Sequence, residues 1–275
     1  MSLFKKRIVI KVGTSTLTHE NGTLNLRLFD RLARVLTDIR NAGYEVILVS
    51  SGAIAVGAAH LRMVEKPTEL RLKQAAAAVG QSELMHIYSV FFGDYGATVA
   101  QILLTGDDIY RDSVRENLIN TFDSLLELGC IPIVNENDSV SFAEIESEHR
   151  EHKVFGDNDT LSAHVAAMCR ASRLVLLSDI DGLFDSDPHT NPDARLIEHI
   201  SDITDDVIKS AGGAGTRRGT GGMITKLSAA KQAMEAGISM TITNGARPED
   251  IYDIIEGKPV GTLFQTETQK GAGLK

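Results

Sequence analysis

Several short stretches of this sequence hold residues suited to gripping anions and moving charge between them. In Lys11-Val12-Gly13-Thr14-Ser15 a lysine interrupts the apolar run from Arg7 to Val12. An ammonium there needs an anionic partner, or its stem must snorkel from an edge strand. Gly13 lets backbone come close to a ligand, as phosphate loops require. Ser50-Ser51-Gly52-Ala53 puts two hydroxyls and free backbone N–H groups at a helix start. That suits a carboxylate or phosphate, and equally an ordinary serine cap. Asn135-Glu136-Asn137-Asp138 gathers two amides and two acids behind an apolar run. It reads as an Asx-rich loop, or as a set in which the amides and Asp138 fix an α-amino group and an α-carboxylate together.

Three further stretches follow. Gly156-Asp157-Asn158-Asp159 precedes a helix expected near Leu161. Its acids can cap that helix, hold Mg²⁺ through water, or orient lysines around a transferring group. Ser178-Asp179 closes another apolar run where a nucleotide could be met. Gly219-Thr220-Gly221-Gly222-Met223-Ile224-Thr225-Lys226 is a Gly-rich turn leading into a helix, with a hydroxyl and a lysine at the join. Alone it is a flexible loop. It lacks the Walker A spacing, no stretch spells G-x-G-x-x-G, and no acidic run has EF-hand spacing. Taken together the stretches point one way. Phosphoryl transfer between two anions needs lysines for the moving charge, glycines and helix N-termini for phosphates, and acids for Mg²⁺. Lys11 and Lys226 supply the lysines from opposite ends of the chain.

The elements that must position these residues alternate. Strands are expected at Arg7–Val12, Glu45–Val49, Thr98–Leu104, Ile131–Val134, Leu174–Leu177 and Met240–Thr243. Helical spacing runs from Leu26 to Ile39 with Gly43 as a C-cap, from Leu70 to Phe92, from Asp112 to Leu128 and from Leu161 to Cys169. Such alternation predicts a three-layer α/β/α sandwich on a mainly parallel sheet. One domain over residues 1–275 is the simplest division. Ligands of open parallel sheets bind beyond the carboxyl ends of the strands, where these polar stretches fall.

Composition agrees. Apolar residues make up 43% and aromatics 5%, with no Trp, as in sheets covered on both faces. A formal charge of −9 argues against nucleic acid and anionic membrane as partners. No apolar run approaches the ~20 residues that span a bilayer, and no signal peptide is evident. Cys130 and Cys169 match no metal spacing and read as small core residues in a reducing compartment. A cytoplasmic protein is expected.

KVGTS, SSGAIAVG, NENDSV, FGDNDTLSA, LLSDIDGLF and GTGGMITK, in this order, resemble the amino-acid kinase family, from Lys11 to the Gly261–Phe264 segment. Within it they are most similar to members that phosphorylate the side-chain carboxylate of L-glutamate with ATP, the first step of proline biosynthesis. The resemblance implies that Lys11 contacts the ATP phosphates and Lys226 the transferring phosphoryl, with Asp159 holding both lysines. It implies Ser51, Asn135, Asp138 and Asn158 for glutamate. For the nucleotide it implies Lys11, Gly13, Ser178, Asp179, Thr220, Gly221, Gly222, Met223, Ile224, Thr225 and Lys226. Mg²⁺ would come with ATP, without direct protein ligation, Asp157 reaching it through water. Proline is the implied feedback inhibitor, and a dimer or tetramer the implied assembly.

Two departures are visible. Many members carry a C-terminal PUA domain, which is expected to be absent because the chain stops soon after Phe264. The segment between NEND and GDND looks longer here, with the charged run Glu146 to Lys153 as a solvated loop or a cover over the glutamate site. Two other readings stay open: a sibling kinase for aspartate, N-acetylglutamate, carbamate or UMP, and a non-catalytic sensor of proline or glutamate. The acidic NEND stretch disfavours UMP, and retention of Lys11, Asp159 and Lys226 disfavours the sensor.

Overall fold

A computed structural model describes residues 6–19, 21–140, 157–188, 190–205, 207–208 and 222–267. The long segment 141–154, Gly156, and Thr220 and Gly221 of the expected nucleotide loop lie outside the described residues. Among the described residues the elements run β1 (Arg7–Val12), α1 (Thr14–Leu17), α2 (Leu26–Asn41), β2 (Glu45–Ser50), α3 (Ala53–His60), α4 (Leu70–Asp94), β3 (Val99–Leu104), α5 (Gly106–Tyr110) and α6 (Asp112–Glu127). They continue with β4 (Ile131–Glu136), α7 (Asn158–Met168), β5 (Arg173–Ser178), β6 (His199–Ile200), α8 (Met223–Glu235), β7 (Ser239–Asn244), α9 (Asp250–Glu256) and β8 (Thr262–Phe264).

These strands form one sheet in the order β3-β4-β2-β1-β5-β7-β8-β6. All neighbouring pairs are parallel except β7 and β8. Strand alternation sends Ile8, Ile10 and Val12 into a core with Phe29 and Leu32 of α2 and Tyr88 and Phe92 of α4. Val9 joins Phe122 of α6, Leu161 of α7 and Leu227 of α8 on the opposite face. Helices therefore cover both faces, and the expected α/β/α sandwich is what forms. Period two then places Lys11 on the α7/α8 face, level with Val49 of β2 and Leu176 of β5. An ammonium occupies a slot that an apolar side chain would otherwise fill.

Most element boundaries fall within a residue or two of the sequence expectation, and two of the shifts matter for the site. Helix α7 begins at Asn158 rather than near Leu161. Asp157 stands in extended backbone and its Oδ1 accepts the Thr160 N–H at 2.9 Å, a side-chain cap that starts the helix early. Asp159 thus belongs to the first helical turn. Strand β4 runs on through Asn135 and Glu136, which pair with Leu103 and Leu104 of β3, so only Asn137 and Asp138 of that polar stretch lie in the turn.

Helices α3 and α4 pack unusually close. A Cβ on Gly57 would overlap the Ala76 carbonyl, and one on Gly80 the Ala53 carbonyl. Backbone therefore meets backbone there, and the N-terminus of α3 is fixed against the middle of α4.

Candidate active site

Three chain segments bring charge together at the carboxyl end of β1. Lys11 Nζ lies 2.6 Å from Asp159 Oδ1, and Lys226 Nζ lies 3.2 Å from Asp159 Oδ2. Thr225 Oγ1 donates to the same Oδ2 at 3.1 Å. Asp159 is 1% exposed, Lys11 9% and Lys226 8%. Burial alone pushes the Asp159 carboxyl up, but the charges and hydrogen bonds of the two lysines reverse this and hold it below the ordinary carboxylate range. Two positive charges on one acid leave a local excess of one, beside the exit from β1. A Cβ on Gly13 would stand 3.6 Å from Lys11 Nζ, so the bare glycine backbone borders the ammonium.

Beside this centre runs a chain of amides. Asn158 Nδ2 stands 2.9 Å from the Ser50 carbonyl, 2.8 Å from Ser51 Oγ and 2.9 Å from Asn135 Oδ1. Asn135 Oδ1 also accepts the Glu136 N–H at 2.9 Å, while its Nδ2 donates to Gln81 Oε1 at 2.9 Å. Ser50 Oγ shares a 2.8 Å hydrogen bond with the buried Tyr88 hydroxyl. Ser51, Asn135 and Asn158, predicted separately from three motifs, thus meet at one place. Gly52, at φ +103°, turns the chain from β2 into α3 in a conformation that favours glycine.

Asp138 lies just beyond, in the wall of a cavity of about 360 Å³ shared with Ala53, Ala77, Gln81, Gln101 and Asn137. Burial raises its carboxyl to about 6. Burial likewise raises Asp157, partly offset by the Thr160 N–H. On the other side of β1, Ser178 closes β5 and donates to Asp179 Oδ1 at 3.0 Å, with Asp179 exposed. The Gly245 N–H donates to the Ser178 carbonyl at 2.7 Å, tying the ends of β5 and β7. Of the expected Gly-rich segment, Gly222 to Lys226 is described. Met223 opens α8, Ile224 is exposed, and Thr225 and Lys226 turn to Asp159.

Residues 6–244 match the common pattern of the amino acid kinase family. The chain belongs to that family. The glutamate 5-kinase of Clostridium perfringens (strain 13 / Type A) is 55% identical over 259 residues, covering 94% of this chain and 95% of its own. That of Listeria innocua serovar 6a is 54% identical over 265 residues, covering 96% of this chain and 95% of its own. Among solved structures, carbamate kinase from Giardia lamblia bound to AMP-PNP superposes with a TM-score of 0.66 at 18% identity, covering 96% of this chain and 99% of its own. Isopentenyl phosphate kinase from T. acidophilum gives 0.63 at 17%, covering 94% and 99%. These distant structures share the amino acid kinase fold.

As an amino acid kinase the chain is a phosphotransferase with ATP as co-substrate. Sequence reasoning missed Gln81 and Tyr88 in this kinase's site. Both sit within the long Ala-rich helix α4, where a glutamine reads as an ordinary helix former and a tyrosine as core. Two polar residues facing the sheet side of that helix were the available signal.

Proposed function

We infer that the protein transfers the γ-phosphoryl group of ATP to the side-chain carboxylate of L-glutamate, giving L-glutamyl 5-phosphate, the first step of proline biosynthesis. The observation that carries this is the meeting of two buried lysines from distant segments on the buried Asp159. A substrate carboxylate oxygen attacks the γ-phosphorus in line; that O–P bond forms as the bond to the β,γ-bridging oxygen breaks, and ADP leaves. The attacking carboxylate carries no proton, so no general base is required. The protein's task is position and charge.

Lys11 faces the phosphates, and Lys226 neutralises the charge that spreads over the moving group. Asp159 keeps the two ammoniums apart and aimed. Ser51, Asn135, Asn158 and Asp138 receive glutamate. Gly13, Ser178, Asp179 and the segment Thr220 to Lys226 receive ATP. Mg²⁺ bound to the nucleotide supplies further neutralisation of the phosphates. The donor set suits an ion carried in by ATP: Asp159 is engaged by two lysines and Asp157 Oδ1 accepts the Thr160 N–H, so the ion would be held chiefly by the nucleotide. Asp157 would be the residue to hold it, through water.

Proline carries the same α-carboxylate with a secondary ammonium, and as feedback inhibitor it would compete at the glutamate set. A single kinase domain, a dimeric or tetrameric assembly and a cytoplasmic location complete the proposal. No helix among the described residues is long and apolar enough to cross a membrane.

The test is ATP turnover with Mg²⁺ across glutamate, aspartate, N-acetylglutamate, carbamate and UMP, with hydroxylamine trapping any acyl phosphate. Glutamate-dependent hydroxamate is the expected result. Turnover with a different acceptor overturns the substrate, and none with any acceptor overturns the activity.

A further inference from the structure

We propose that Gln81 reads the α-carboxylate of the amino-acid substrate by donating a hydrogen bond from its side-chain amide, while Asp138 in the same cavity wall accepts from the α-ammonium. The inference rests on the glutamate reading above and assigns a specificity-determining residue within it.

Hydrogen-bond polarity carries the assignment, because two backbone groups fix every amide between them. The Ser50 carbonyl can only accept, so the Asn158 atom 2.9 Å away must be its NH₂ group. The Glu136 N–H can only donate, so the Asn135 atom facing it must be Oδ1. Both constraints agree at the Asn158–Asn135 contact of 2.9 Å, where NH₂ meets oxygen. The NH₂ group of Asn135 is thereby turned toward Gln81, which must answer with Oε1 at 2.9 Å. Gln81 Nε2 is left as the donor at the end of the chain. No hydrogen bond to it is made by the described residues, and it stays accessible from the cavity that Gln81, a residue only 9% exposed, lines.

A donor that opens on a cavity calls for an acceptor there, and a ligand carboxylate supplies one. Which carboxylate follows from position. Neither Lys11, Asp159 nor Lys226 lines the cavity, whereas Gln81 and Asp138 do. The γ-carboxylate must reach the lysines to be phosphorylated, so the carboxylate left in the cavity is the α one. Ala53, Ala77 and Ala78 supply a wall of small apolar groups beside it. The hydrogen-bonded chain Gln81–Asn135–Asn158 then spans from the amino-acid end to the residue next to Asp159.

Gln81→Glu tests this in the full chain, because a carboxylate still accepts from Asn135 but no longer donates. Acceptors are L-glutamate and its α-amide, L-isoglutamine, which keeps the phosphorylatable carboxylate. For glutamate, kcat/KM is expected to fall roughly 10- to 100-fold, mainly through KM, with KM for ATP unchanged. For isoglutamine the fall is much smaller, because its amide donates to the new carboxylate. An unchanged glutamate-to-isoglutamine ratio overturns the proposal. Should Gln81→Glu fail to fold, Gln81→Met serves. It removes the donor without charge, and retention of the full preference for glutamate over isoglutamine overturns the proposal equally. Absence of glutamate-dependent turnover in the unsubstituted protein removes the glutamate reading itself, a separate outcome.

Discussion

An acid shared by two ammoniums is held for geometry as much as for charge. Removing Lys226 leaves Asp159 paired with Lys11, so the site stays intact before reaction but loses a positive charge when the phosphoryl is in flight. Lys226→Ala is therefore expected to lower kcat by about 10³-fold or more while KM for glutamate moves only a few-fold, as steady-state kinetics will report. Swapped effects would overturn the role. Asp138 differs in kind. Its carboxyl, ordinarily at 3.8, is raised to about 6 by burial, so the folded protein binds that proton more tightly than the unfolded chain. Its contribution to stability is present at acid pH and is lost as pH rises through about 6. Asp138→Asn is thus expected to stabilise the empty protein at pH 8 by about 1–2 kcal/mol, with the gain shrinking toward pH 4 in thermal melts. The same substitution raises KM for glutamate. In the unsubstituted protein KM for glutamate climbs as pH falls below about 6, because a protonated Asp138 cannot pair with the α-ammonium. Lys11 was legible at this scale, since an ammonium in an apolar strand demands a partner. Gln81 was not, because its partner Asn135 is 54 residues away in sequence.

At the scale of elements, the apolar runs announced β1, β2, β4, β5 and β7 to within a residue or two, because parallel strands buried on both faces are continuous apolar segments. β6 and β8 span two and three residues and carry no period to read. The ends of β4 and α7 were misplaced for a shared reason: polar residues read as loop until a tertiary partner satisfies them. Asn135 is kept in strand by β3 and Gln81, and Asn158 is kept in helix by the Asp157 cap. The glycine contact of α3 with α4 carries a prediction of its own. Gly80→Ala sets a Cβ against the Ala53 carbonyl and must part the helices, costing about 1–3 kcal/mol. Because Ala53 and Gln81 line one cavity, KM for glutamate should rise with KM for ATP unmoved. A uniform loss across both substrates would argue against that separation.

For the molecule as a whole, Asp159 is the point where β1, α7 and α8 are bound together. Replacing it by asparagine leaves two ammoniums buried without a counter-charge, which is expected to cost about 3–5 kcal/mol in denaturant unfolding as well as abolish turnover. A variant with wild-type stability would mean that the lysines find water or another acid. The sandwich itself was legible from alternation alone. The meeting of its ends was legible only through chemistry, since no local pattern says that Lys11 and Lys226 share a carboxylate. That meeting also sets a clock on synthesis. The strand bearing Lys11 leaves the ribosome first and α8 long afterwards, so a growing chain has no finished centre. Each molecule completes its centre only once Lys226 has emerged and folded back to the first strand, so full activity waits on nearly the whole chain.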